Sequence, residues 1–270
     1  MKFGASTFAG SLSDLNEIVD SIELYIPKMR LYEGRVLQKD RLHAFLDEFF
    51  SYDLLSTAHA PYHIEFSVEY PIELLVDMSN MTGKDFLLMN EAVDIAVLSG
   101  ADVLVLHPGR ITDTPKKSFW RMVQNLRILT KYAEDNGILL ALENKENTDP
   151  LNLCCEAEEL LSAVKAVNSD FLGAALDIGH ANLTCGGDQK KLADYVKKLS
   201  PDVVHVHVHD NYGKKTEPYG GDEHMCPGRG VIDYSVLKNL GDYDGIYNLE
   251  VFSTEEAAEG KEYLSKVLTP

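Results

Sequence analysis

The chain has 270 residues, of which 45% are hydrophobic and 25% charged, with a formal net charge of -18 at pH 7. This length suits one large domain with a shared core, and the apolar fraction excludes a disordered chain. The acidic balance repels a phosphate backbone at long range and so disfavours nucleic acid as a partner, although bound cations would offset part of the charge. Cys154 and Cys155 are adjacent while Cys185 and Cys226 are isolated, which gives neither a C-x-x-C pair nor a disulfide framework and predicts a reducing cytoplasm. No uninterrupted apolar stretch reaches spanning length, so no membrane partner is expected.

In chain order, short β-rich runs alternate with longer segments of helical period, the pattern of repeated βα units around a parallel sheet. Strands are predicted at 2–7 (KFGAST), 21–27 (SIELYIP), 56–62 (STAHAPY), 103–109 (VLVLHPG), 137–144 (GILLALEN), 171–182 (FLGAALDIGHAN), 203–211 (VVHVHVHDN) and 245–252 (GIYNLEVF). Eight is the barrel number, so the predicted fold is a single-domain (β/α)8 TIM barrel over 1–270. Within 119–136, Met122, Leu126, Leu129 and Ala133 recur at helical spacing, as an outer-ring helix requires. Segments 156–168 and 188–200 behave alike, each leading within a few residues into the next strand.

Catalytic groups of such a barrel sit at the C-terminal ends of its strands. Glu23 lies within the second predicted strand, and His59, His107, Glu143, Asp177, His207 and Glu250 fall at the ends of the third to eighth. From Glu23 the successive intervals are 36, 48, 36, 34, 30 and 43 residues, close to one βα unit each, which predicts a common rim. Carboxylates converging there repel one another and shift upward in pKa unless a hard divalent cation neutralises them. The expected cofactor is therefore a divalent metal: Zn, Mn, Co or Mg. His180, His205, His209, Asp210, Asp222 and His224 add donors to the rim, enough for a second or third ion. Alternation along the seventh strand turns His205, His207 and His209 into the barrel and Val204, Val206 and Val208 toward the helices.

Each residue also has a plainer reading. A strand-end imidazole such as His59 or His107, taken singly, more often makes a structural hydrogen bond, and His205, deepest in its strand, is read as barrel core. Glu143 and Glu250 end apolar strands, where an unpaired carboxylate costs several kcal/mol, so each demands a cation or an ion-pair partner. Cys185 and Cys226 are read as packing residues.

LHPG at 106–109, LEN at 142–144, LDIGHAN at 176–182, HVHDN at 207–211, DEHMCPGRGVIDY at 222–234 and LEVF at 249–252 form an ordered set across nearly the whole chain. This set resembles the xylose-isomerase-like TIM barrel superfamily, which holds sugar phosphate isomerases and epimerases together with the endonuclease IV apurinic-site nucleases (AP endonuclease family 2). The resemblance implies Glu143, Asp177, His207 and Glu250 as metal ligands. Glu143 and Glu250 would also be the acid/base pair of an isomerase or epimerase that passes a small sugar or sugar phosphate through an enediolate. His180 is the implied substrate contact, and His59, His107, Glu23 and His209 complete the expected substrate-binding set. The nuclease branch implies a three-zinc site at positions matching His59, His107, Glu143, Asp177, His180, His207, Asp222, His224 and Glu250.

Departures from the nuclease pattern weigh between the two. Those enzymes follow the sixth-strand aspartate with Thr-Cys-His, where this chain has Ile178-Gly179-His180, and they carry Asn where this chain has His209. After Pro61-Tyr62, His63-Ile64-Glu65 replaces their apolar-apolar-Asn continuation. With the acidic balance, a metal-dependent sugar isomerase or epimerase is the leading expectation and an abasic-site DNA nuclease the alternative. A non-catalytic sugar-binding or metal-binding barrel stands third. Substrate choice is assigned to the loops 27–40, 63–84, 110–118 and 212–222, Lys214 and Lys215 are read as solvated, and the sequence is compatible with a homo-oligomer.

Overall fold

A computed structural model describes residues 1–63 and 70–269, so 64–69 of the predicted loop 63–84, with Ile64 and Glu65, lie outside the described residues. Eight strands carry the architecture: β1 (Lys2–Ser6), β2 (Ser21–Tyr25), β3 (Leu55–His59), β4 (Val103–Leu106), β5 (Leu139–Glu143), β6 (Leu172–Asp177), β7 (Val203–Val208) and β8 (Ile246–Leu249). Among the described residues these form a closed parallel barrel in which each strand pairs with its neighbours in sequence and β1 returns to β8. The predicted (β/α)8 fold is thus the observed one. Around it run α1 (Leu12–Leu15), α2 (Lys39–Phe49), α3 (Gly83–Ser99), α4 (Pro115–Asp135), α5 (Ala157–Val167), α6 (Ile178–Thr184), α7 (Gln189–Leu199) and α8 (Thr254–Leu268). Between β7 and β8 a 3-10 turn, Tyr234–Leu240, replaces the outer helix. No helix among the described residues is long and apolar enough to cross a membrane.

Local chemistry sets the boundaries. The helix read at 119–136 begins earlier because the Thr114 hydroxyl accepts the Lys117 N–H and Pro115 suits the first turn. The sixth strand was expected to run to 182 but stops at Asp177, whose carboxylate accepts the His180 N–H at 2.7 Å and caps α6. Strands four, seven and eight likewise end a few residues early, which leaves His107, His209 and Glu250 just beyond their strands.

Leu104, Leu106, Leu140, Leu142 and Leu176 face outward into the main core, where Met122, Leu126 and Leu129 of α4 also pack. Val103, Val105, Ala141 and Ala175 form a separate cluster inside the cylinder. They share the strand face of His107, Glu143 and Asp177, so an apolar floor lies beneath a polar mouth. One residue departs from the predicted alternation: Val204 packs on this inner cluster, whereas Val206 and Val208 face the helices. A register shift between Ala174 and Ala175 where β6 meets β7 turns it inward. Gly173 makes the room, since a Cβ there would lie 2.5 Å from Val204 Cγ1.

Candidate metal centre

Register brings the polar residues level. His207 pairs with Asp177 on one side and Asn248 on the other, and Tyr25 pairs with His59. At the mouth, Glu143 Oε2 faces His107 Nε2 at 3.0 Å, His59 Nε2 at 3.5 Å and His207 Nδ1 at 3.6 Å. Glu250 Oε1 reaches the same His207 Nδ1, also at 3.6 Å. Asp177 Oδ1 lies 3.1 Å from His209 Nε2, and His180 Nδ1 lies 3.0 Å from Glu143 Oε1. Asp222 Oδ2 stands 3.3 Å from His180 Nε2 and 3.5 Å from His224 Nε2. The structure therefore gathers Glu143, Asp177, His207 and Glu250 at one spot, with His59, His107, His180, His209, Asp222 and His224 around it.

The donor set suits a divalent ion. Ligand atoms of Glu143, Asp177 and His207 all lie within 4.8 Å of one another, as do those of His59, His107 and Glu143, of Asp177, His180 and His209, and of His209, His224 and Glu250. Glu143 Oε2 and His207 Nδ1 are buried without an aligned hydrogen bond among the described residues. Burial pushes His107 down to about 3, so its ring is neutral. Burial alone would raise Glu143, yet the imidazoles His107, His180 and His59 hold it well below the usual carboxylate range. An ionised carboxylate buried among imidazoles is an environment that a divalent ion suits. Carboxylates with imidazoles are the ligand set of Zn, Mn and Co.

Two buried acids expected at the rim do other work. Glu23, expected to contact substrate, has no exposed surface: Oε2 lies 2.8 Å from His207 Nε2 and 3.2 Å from His205 Nε2, and Oε1 accepts from Ser6 and Asn248. It lies behind His207 and orients it. His205, read as core, is 1% exposed and neutral, burial lowering its pKa. Asp210, expected among the donors, accepts the backbone N–H groups of Asn211, Gly228, Gly230 and Ile232 at 2.9, 2.9, 2.9 and 3.2 Å, and so ties down the loop after β7.

His209 is fully buried, stacked on His224 with ring centroids 4.1 Å apart. His224 adopts φ 47, a left-handed conformation rare outside glycine, and Asp222 raises it to about 9 against its burial. Against the cost of burial, Asp177 and Asp222 also draw His180 upward, with Lys145 opposing them.

Sequence reasoning missed several neighbours. The Tyr25 and Tyr62 hydroxyls bond each other, and the Tyr62 ring lies 3.9 Å from that of His107. Asn144 Oδ1 accepts the Asp177 N–H at 2.9 Å and Nδ2 donates to the Asp177 carbonyl, bracing β5 to β6. Lys145 stands partly buried beside His180, and against the cost of desolvation Glu146, Glu143 and Asp222 hold its ammonium above the ordinary lysine range. Its signal was present, since alternation places 145 on the face of 141 and 143.

A closed (β/α)8 barrel with a carboxylate and imidazole centre at its mouth defines the class. The chain belongs to the xylose isomerase-like TIM barrel family, whose model matches residues 13–267. It is 32% identical over 188 residues to an uncharacterised protein of Methanocaldococcus jannaschii, covering 67% of this chain and 61% of that one. A fructoselysine 3-epimerase of Shigella flexneri is 26% identical over 189 residues, covering 67% and 64%. A probable endonuclease 4 of Mesomycoplasma hyopneumoniae is 27% identical over 190 residues, covering 67% and 62%. The chain spans about three fifths to two thirds of the length of the curated relatives it matches. Among solved structures, a D-tagatose 3-epimerase-like protein superposes with a TM-score of 0.80 at 27% identity, covering 99% of this chain and 97% of that one. Named relatives thus include sugar epimerases and endonucleases.

Proposed function

We propose that the chain is a divalent-metal-dependent epimerase or isomerase of a small sugar or sugar phosphate. One observation carries the reading: Glu143 Oε2 and Glu250 Oε1 flank a single imidazole nitrogen, His207 Nδ1, each at 3.6 Å. Two carboxylates bordering one cavity from different strands can address two faces of a bound substrate. Held by Glu143, Asp177, His207 and Glu250, a divalent cation would polarise a carbonyl and its neighbouring hydroxyl. One glutamate takes the proton from the carbon beside the carbonyl, which leaves an enediolate; the other returns a proton. Delivery to the opposite face of the same carbon gives the epimer, and delivery to the adjacent carbon gives the isomer. His180, His59, His107 and His209 surround the pair and are proposed to contact substrate or support its ligands. The fructoselysine 3-epimerase and the D-tagatose 3-epimerase-like structure support this substrate class. Four free cysteines suit a cytoplasmic location.

The test is exchange of a carbon-bound hydrogen with solvent over a panel of ketoses, aldoses and their phosphates, with Mn, Co, Mg or Zn supplied. Metal-dependent exchange is expected with at least one sugar, and silence across the panel with every metal rejects the reading. His59 and His107 converging on Glu143 favour a second reading, incision of abasic DNA at a multinuclear zinc centre. Zinc-dependent cleavage of an abasic duplex, lost in Glu143→Ala, would establish it.

A further inference from the structure

Lys145 takes no part in the proton transfers above, yet its partly buried ammonium stands at the edge of the same centre. Nζ lies 3.1 Å from His180 Nε2 and 3.2 Å from Glu146 Oε2. Asp222 Oδ2 faces that imidazole nitrogen at 3.3 Å, and Glu146 Oε2 faces it at 3.5 Å. On the other side of the ring, His180 Nδ1 is 3.0 Å from the Asn144 carbonyl oxygen and 3.0 Å from Glu143 Oε1. Both are acceptors, so Nδ1 carries the ring proton. The ammonium lies 3.1 Å from Nε2, the nitrogen that a metal in this pocket would have to reach. The ammonium thus meets one imidazole nitrogen and the Glu146 carboxylate, while Asp222 faces the same nitrogen, at a place where a metal would otherwise find these three side chains as ligands.

We propose that Lys145 is a built-in cation: its ammonium fills the pocket of His180, Glu146 and Asp222 and keeps metal out of it. The proposal rests on the reading of Glu143, Asp177, His207 and Glu250 as metal ligands. Two cations so close repel strongly where water is scarce, so the ammonium and an ion on His180 Nε2 exclude each other. The centre then lacks the outer ion that the three-zinc arrangement requires, while both glutamates keep their inner metal. Lys145 thereby tilts the barrel toward sugar chemistry.

Zinc is titrated without substrate into the metal-free full chain, its Lys145→Met and Asp222→Asn variants, and the double variant, and bound equivalents are read by calorimetry and elemental analysis. Lys145→Met is expected to hold one equivalent more than wild type, and the double variant to lose it again. Asp222→Asn alone leaves the wild-type count unchanged, and this arm serves if Lys145→Met does not fold. Equal counts in wild type and Lys145→Met overturn the proposal, as does the loss of one equivalent in Asp222→Asn. Zinc uptake by wild type that Asp177→Asn abolishes keeps the inner-ligand reading whatever Lys145 does. No uptake by any of the proteins overturns that reading and this proposal with it.

Discussion

Glu23 Oε2 lies 2.8 Å from His207 Nε2, so the carboxylate takes the N–H on one side of the ring and turns Nδ1 toward Glu143 and Glu250. An acid on the far nitrogen fixes the tautomer and ring orientation that a metal ligand needs. Glu23→Gln is expected to weaken metal binding by about 10–100-fold, because the amide cannot accept equally from His205 and His207. Competition against a chelator of known affinity measures this. An unchanged affinity would leave Glu23 a merely structural acid.

The two glutamates should differ in what they leave behind. Glu143→Gln and Glu250→Gln are each expected to lower turnover by about 10²–10⁴-fold. If the pair works on two faces, one variant still exchanges the carbon-bound hydrogen of substrate with solvent while the other exchanges only that of product. Deuterium incorporation followed from both directions separates them, and equal loss from both directions in both variants would count against a two-base mechanism.

The barrel and most of the centre were legible because both follow from periodicity: eight β-rich runs, of which the third to eighth end on an acid or imidazole about one βα unit from the last. What stayed hidden depends on details below that period. Asp210 and Glu23 look like rim acids in sequence, but loop backbone N–H groups take up the first and the depth of β2 in the barrel withdraws the second. Val204 obeys alternation in sequence and escapes it through a register shift that no local pattern announces. Lys145 sat on the right face yet reads as an ordinary charge after a strand until Glu146 and Asp222 are seen around it.

Gly179 offers a test of how tightly the mouth is packed. A Cβ there would lie 2.1 Å from His209 Cε1, which explains why the sequence has Gly between Ile178 and His180. Within a helix, alanine ordinarily exceeds glycine by about 0.5–1 kcal/mol, so the sign of the effect is diagnostic. Gly179→Ala is expected to destabilise by about 1–3 kcal/mol, because His209 must leave Asp177 and the His224 ring. Denaturant unfolding reads the sign, and a stabilised variant would show that the imidazole moves aside freely.

Asp85 carries the clearest pH signature away from the centre. Burial alone would raise its pKa, but the Thr82 N–H at 2.7 Å and the Arg35 guanidinium at 2.7 Å outweigh it and hold the carboxyl below the ordinary 3.8. A depressed folded-state pKa means that the stability contributed is fully present above the unfolded value and is lost as pH falls through the folded one. Asp85→Ala removes the capping box of α3 and one of the three acceptors that hold Arg35, at a cost of about 1–2 kcal/mol at neutral pH. That deficit should stay constant from about pH 8 to 5 and close below about pH 4, as the wild-type carboxylate takes up its proton. Urea unfolding of both proteins across this range measures the difference directly, and a deficit that instead grows on acidification would assign Asp85 a raised pKa and reverse the argument.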